Sequence, residues 1–95
     1  MNQDYIIVTE YCRQSEIEPD FIILLEESGL IQIETIENER YFHESQLRNL
    51  EKFTRLYYDL SVNIEGIDII QHLLERIESL QSEINLLKNR INLFS

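Results

Sequence analysis

Residues 63–94 read NIEGIDIIQHLLERIESLQSEINLLKNRINLF, and this stretch decides the architecture of the chain. Isoleucine recurs every seven residues, and leucine or phenylalanine recurs at the same interval three residues later. These are the a and d positions of a heptad repeat, the pattern of a coiled coil. The a positions are Ile70, Ile77, Ile84 and Ile91, and the d positions are Leu73, Leu80, Leu87 and Phe94. We therefore predict a C-terminal coiled-coil helix over residues 63–95 that forms a homodimer through these side chains.

The alternative is a helix that folds back on its own chain. Such a helix could cover the first apolar residues, from Ile70 to Leu74, but would leave the last ones, from Leu87 to Phe94, in water. Ile at a with Leu at d favours two parallel strands, in which Glu83 at g would face Lys88 at e of the second copy. We expect self-association and leave the orientation of the two helices open.

Residues 1–62 precede this helix and carry the start and stop signals of a small helical head. Thr9 can cap a first helix, Pro19 suits the first position of a second, and Gly29 ends it by taking a left-handed conformation. Asn63 can cap the long helix. The predicted elements are a strand at 5–8, helix one at 10–14, helix two at 19–28, a hairpin with strands at 30–34 and 40–42, and helix three at 44–60. The predicted fold is mainly α: a winged helix-turn-helix head with a small β-hairpin, then the long helix.

The acidic residues are concentrated in the first half of the chain. The protein has 95 residues and a formal net charge of −10, and residues 1–45 hold 11 acidic but only two basic side chains. A negative surface repels phosphate backbones and favours encounter with a basic partner. Plain solubility explains the same charge equally well.

The side chains that carry chemistry are few. Cys12 is a single cysteine with the setting of a buried small hydrophobe, His43 suits a capping or packing role, and His72 falls at an outward c position. We predict no enzymatic activity, no metal and no cofactor. We also expect a cytoplasmic protein, because residues 1–4 lack a secretory signal and no apolar run is long enough to span a membrane.

Helix two argues against a role in reading DNA. In a winged helix-turn-helix of the MerR type this element enters the major groove and needs Arg or Lys to contact phosphates and base edges. Here residues 19–28 read PDFIILLEES and contain no basic residue. We therefore expect no nucleic acid as a ligand.

Several strings, in order and spacing, resemble the chaperone-modulator CbpM family, a MerR-like group. They are Thr9-Glu10-Tyr11-Cys12, Gly29-Leu30-Ile31, Tyr41-Phe42, Arg55-Leu56, and Leu60-x-x-Asn63-x-x-Gly66-Ile67. The resemblance implies a protein that binds the J-domain of a DnaJ/CbpA-like co-chaperone and inhibits its action on DnaK, the Hsp70 chaperone. The J-domain helix that docks on Hsp70 is basic, so an acidic protein can compete for it.

We predict partner-binding residues from charge and helix position. They are Glu16, Glu18, Glu26, Glu27 and Asp59, with exposed Tyr or Phe side chains as the apolar anchor. Solvation alone is the alternative for each carboxylate taken singly. Two other functions stay open: a MerR-type DNA-binding transcriptional regulator, which the fold alone would favour, and a structural dimerisation adaptor that acts through the heptad seam.

Overall fold

The structure is a computed structural model that describes residues 4–94, without the side chain of Phe94. The elements, in chain order, are strand β1 (Tyr5–Ile7), helix α1 (Val8–Ser15), helix α2 (Pro19–Glu27), strands β2 (Glu34–Ile36) and β3 (Glu39–His43), a 3₁₀ turn (Glu44–Gln46), helix α3 (Leu47–Thr54), a π-helical turn (Arg55–Asp59) and helix α4 (Ile64–Phe94). A small head with a long C-terminal helix is the architecture that the sequence predicts.

The three strands form one antiparallel sheet in the order β1-β3-β2. In its register Ile6 lies opposite Phe42, and Thr35 lies opposite Arg40. The hairpin between β2 and β3 closes through Glu37 and Asn38, which both have positive φ, as a two-residue turn that follows the right-handed strand twist requires.

The capping signals at Pro19, Gly29 and Asn63 act as predicted. Pro19 begins α2, and Gly29 has a φ of +77° just after its end. The Gly29 and Leu30 amides donate to the carbonyls of Glu26 and Leu25, which completes a Schellman motif. The Asn63 side chain accepts from the Gly66 amide at 2.8 Å and caps α4.

The prediction for the start of α1 was wrong in two details. Val8 is a helical residue and not the end of the strand, and the N-cap is Ile7 and not Thr9. The Thr9 hydroxyl instead reaches the Glu39 carboxylate on β3 at 3.5 Å. Val8 is only 3% exposed, because its place in the first turn of α1 turns it into the core.

The predicted first hairpin strand, 30–34, was also misplaced, because β2 begins only at Glu34. The alternating pattern comes from Ile31, which is buried, and Ile33, which is partly buried. The backbone between them pairs with a side chain: the Gln32 amide donates to Gln46 Oε1 at 2.7 Å, and Gln46 Nε2 donates to the Gln32 carbonyl at 2.8 Å. This satisfies the peptide without a neighbouring strand.

Helix three, predicted as one element over 44–60, is divided into three. Its last turn is π-helical, with the Leu60 amide donating to the Arg55 carbonyl five residues earlier at 3.2 Å. The extra residue in this turn rotates the helix face. Leu60, at the end of the predicted helix, is therefore 66% exposed, whereas Leu50 and Phe53 are buried.

The core lies between α1, α2, β3, α3 and the first turns of α4. Its buried side chains are Val8, Cys12, Ile17, Phe21, Ile22, Leu25, Ile31, Phe42, Leu50, Phe53 and Ile67. Among the described residues of α4, Ile67 alone belongs to this set; Ile64, Ile70 and Leu74 are partly buried, and the helix leaves the head beyond them. The radius of gyration is 17.4 Å, against about 12 Å for a compact chain of this length.

Candidate partner-binding surfaces

Helix α2 presents an acidic outer face. Phe21, Ile22 and Leu25 turn inward and are at most 2% exposed. Asp20, Leu24 and Glu27 recur at helical spacing on the other side and are exposed. The helix that would enter the major groove therefore offers two carboxylates and a leucine, a surface that phosphates would repel.

The five predicted partner-binding carboxylates do not form one cluster. All are exposed: Glu16, Glu18, Glu26, Glu27 and Asp59. Glu18, just before α2, lines a concave surface, whereas Glu26 and Glu27 lie at the opposite end of α2. Whether these residues contact a partner stays a prediction.

A groove of about 260 Å³ lies between the start of α2 and the π-helical turn. We call it the aromatic groove, and it is lined by Glu18, Asp20, Phe21, Leu24, Tyr57 and Tyr58. Its three rings are in mutual contact: the Phe21 centroid lies 4.6 Å from that of Tyr57 and 5.4 Å from that of Tyr58, and the two tyrosines are 5.0 Å apart. Tyr57 and Tyr58 are consecutive residues of the π-helical turn.

Sequence reasoning missed most of this groove. It named no individual tyrosine as an anchor and predicted one continuous helix over 44–60. The signal was the Tyr57-Tyr58 pair, since one face of an α-helix uses only one of two adjacent residues. The contact between Glu18 and Tyr58, 40 positions apart, has no counterpart in the local pattern.

The heptad seam of α4 is exposed beyond the head. Ile70 is partly buried, and from Leu73 onward the described seam side chains are about half exposed or more. They are Leu73 at 55%, Ile77 at 49%, Leu80 at 46%, Ile84 at 50%, Leu87 at 55% and Ile91 at 66%, and the side chain of Phe94 lies outside the described residues. Within residues 4–94, therefore, the helix does not fold back on the head, and the head does not cover the distal seam.

The cysteine and the histidines have structural settings. Cys12 is buried, and this burial raises the pKa of its thiol. His43 Nδ1 accepts from the Ser45 amide at 3.0 Å, which confirms its capping role. His72 Nδ1 donates to the Asp68 carbonyl at 2.8 Å and lies 3.4 Å from the Asp68 carboxylate, and this backbone bond and charge raise the His72 pKa. In the described part of the chain, no group of three or more His, Cys, Asp or Glu side chains is placed to hold a metal ion.

A family model described as MerR HTH family regulatory protein matches residues 6–89. The chain belongs to this family. Among its relatives is the chaperone modulatory protein CbpM of Pseudomonas entomophila (strain L48), 26% identical over 85 residues that cover 88% of this chain and 84% of the relative. The CbpM proteins of Pseudomonas putida strains W619 and GB-1 are 25% and 24% identical with the same coverage.

No solved structure matches the chain. The resemblance to the CbpM family predicted from the sequence is confirmed by these relatives, and the MerR-like fold by the family model. None of the helices within residues 4–94 is long and apolar enough to cross a membrane. In this MerR-family chain the helix-turn-helix architecture is retained, while the outer face of α2 is acidic.

Proposed function

We propose that this chain is a chaperone modulator that binds the J-domain of a DnaJ/CbpA-like co-chaperone and so prevents its action on DnaK. The observation that carries the proposal is the outer face of α2, where Asp20 and Glu27 flank the exposed Leu24. A basic helix complements such a surface in charge, and association of this kind is fast and sensitive to salt. The names of the CbpM relatives support the same role.

The mechanism that follows is occlusion. A J-domain whose basic helix lies against α2 has less of that helix free for Hsp70, so the chain competes with DnaK without any chemical step. Titration of a purified J-domain with the full chain should give binding that weakens steeply as salt is raised. The same chain should lower the J-protein stimulation of DnaK ATP hydrolysis. Absence of binding at low salt would refute the proposal.

A charge-reversal pair localises the contact. Glu26→Lys with Glu27→Lys should slow association with the J-domain markedly while leaving the fold intact, because both side chains are exposed. The matched control is Glu37→Lys with Glu78→Lys, which makes the same change in net charge at the β2–β3 turn and on the exposed part of α4. If the two double variants associate at the same rate, only the overall charge matters, and the end of α2 is not part of the contact.

We further propose that two copies pair through the heptad seam. The six described seam side chains from Leu73 to Ile91 form a continuous exposed apolar stripe, and a second copy supplies the same stripe in the same spacing. In a parallel pair, Ile69 at g meets Leu74 at e of the second copy, Glu83 meets Lys88, and no like charges face each other at these positions. This complementarity favours a second copy as the occupant of the seam.

DNA binding remains the second candidate, on the family description alone. A gel shift with random and operator-like duplexes tests it directly. Tight, sequence-selective binding at physiological salt would favour a regulator of transcription, whereas the acidic face of α2 leads us to expect none.

A further inference from the structure

The aromatic groove is a small, open depression. Its volume of about 260 Å³ lies below the roughly 300–1,000 Å³ of sites that enclose small molecules. Phe21 forms its floor and is 2% exposed, whereas Tyr58 at 42% and Leu24 at 39% stand open to solvent at its sides. The groove is therefore an open slot with aromatic walls, suited to a flat or slender group that enters from outside.

The ring of Tyr58 is held in place. Its Oη accepts a hydrogen bond from the Glu18 backbone amide at 3.1 Å, and its ring packs edge-on against Phe21 and Tyr57. Glu18 is the residue that precedes the first turn of α2, so this bond joins the π-helical turn to the start of that helix. A wall fixed before binding costs little entropy when a ligand stacks on it.

The charge at the rim selects a cation. Glu18 and Asp20 are exposed, and within the described residues no lysine, arginine or histidine forms an ion pair with either carboxylate. A helix start ordinarily attracts anions, but at this one the two carboxylates already supply the negative charge and would repel another anion. A cation can meet both the carboxylates and the faces of the tyrosine rings, which attract positive charge.

We propose that the aromatic groove receives one arginine side chain from the basic helical segment of the partner protein. The guanidinium stacks on Tyr58 and pairs with the carboxylate of Asp20, and its aliphatic stem lies against Leu24. Arginine suits the slot better than lysine, because its planar group can stack and donate two parallel hydrogen bonds at once. The identity of the partner as a J-domain rests on the proposed function, but the chemistry of the groove does not.

The first experiment tests the groove alone. The full chain is titrated with N-acetyl-arginine amide and, in parallel, with N-acetyl-citrulline amide, which has nearly the same shape but no charge, while backbone amide signals are followed by NMR. We expect arginine to shift the signals of Glu18 and Tyr58 more than those of Glu26 and Glu27, and citrulline to shift none of them. Equal shifts at all four residues, no shifts, or equal effects of the two compounds would overturn the proposal.

The second experiment tests whether the groove contributes to the binding of a purified J-domain. Tyr58→Leu removes the aromatic face and should weaken binding about tenfold, whereas Tyr58→Phe keeps the face and should weaken it less than about threefold. Asp20→Asn should weaken binding about as much as Tyr58→Leu, and its control is Glu10→Gln, a carboxylate in the first turn of α1 away from the groove. The double variant of Tyr58 and Asp20 should lose less than the product of the two effects, since both residues hold the same side chain.

The two proposals fail in different ways. Wild-type chain that binds no J-domain removes the proposed function, while the arginine titration still decides the groove. If the wild-type chain and Tyr58→Leu bind the J-domain equally tightly, the proposed function is retained, but the groove is not part of the contact. Circular dichroism of each variant checks that helix content is retained. If the Tyr58→Leu chain unfolds, Asp20→Asn takes its place in the comparison. Asp20→Asn that binds the J-domain as tightly as Glu10→Gln would then refute the proposal.

Discussion

Replacing one seam residue by lysine should separate the two copies of the chain. Ile84 occupies an a position near the middle of the exposed seam and is 50% exposed in the single chain. Full burial of an isoleucine side chain is worth about 1.5–3 kcal/mol, so covering the remaining half contributes about 1 kcal/mol per copy and about 2 kcal/mol per dimer. Ile84→Lys loses this and sets two ammonium groups against each other in one layer, for a total of about 3–4 kcal/mol.

This loss corresponds to a dimer dissociation constant raised roughly 100- to 1,000-fold. The measurement is sedimentation velocity over a series of protein concentrations. Ser82→Lys is the matched control, because Ser82 lies at the outward f position two residues away, is exposed, and takes the same change in charge. Equal dissociation constants for the two variants would refute the seam as the dimer interface, and so would a wild-type chain that stays monomeric at every concentration.

Three further predictions concern the head and its junction with α4. Gly66→Ala should destabilise the fold by about 1 kcal/mol in chemical denaturation despite the better helix propensity of alanine, because an added Cβ would lie 2.8 Å from Val62 Cγ1 and disturb the Asn63 cap. Cys12 should react with a thiol reagent only as fast as the native state opens, since its thiol is buried and its pKa raised, so equal rates in native and denatured protein would contradict the structure. In an NMR titration His72 should show a pKa above that of an ordinary histidine, and Asp68→Asn should lower this pKa. Because the pKa of His72 is raised in the folded state, any stabilisation of the fold by its protonated ring is present at low pH and is lost as pH rises through the folded-state pKa.

The parts of the fold that the sequence predicts well are those set by local chemistry. Pro19, Gly29 and Asn63 mark helix ends through their own backbone or side-chain preferences, and the structure places each in the expected role. The heptad spacing likewise predicts a single long helix, because an apolar repeat of seven residues falls on one face of the chain only when the chain is helical. These signals act within a few residues of themselves, although the equally local cap signal at Thr9 failed, and its hydroxyl reaches Glu39 on β3 instead.

The parts that the sequence does not predict depend on distant partners. The segment around Gln32 has the alternation of a strand, yet its backbone bonds to the side chain of Gln46, which lies 14 positions away. The aromatic groove packs Tyr57 and Tyr58 of a π-helical turn against Phe21, which is distant in the sequence, and a π-helical turn has no sequence signature comparable to a helix cap. For the same reason, the predicted carboxylates gave the correct charge but only one residue of the groove, Glu18.

The distribution of cations over the head bears on the choice between a protein and a nucleic acid as ligand. Helix α2 has none, but α3 and the turn after it carry Arg48, Lys52 and Arg55 at spacings of four and three residues, which places them on one helical side. Three phosphate contacts give only weak, salt-sensitive affinity, and residues 1–62 together hold 13 acidic and five basic side chains, a net charge of −8. Any association with duplex DNA should therefore be confined to low salt and indifferent to sequence. A basic protein meets the opposite situation, because the exposed carboxylates of Asp20 and Glu27 flank an apolar contact at Leu24 on the element that such folds present to their ligands.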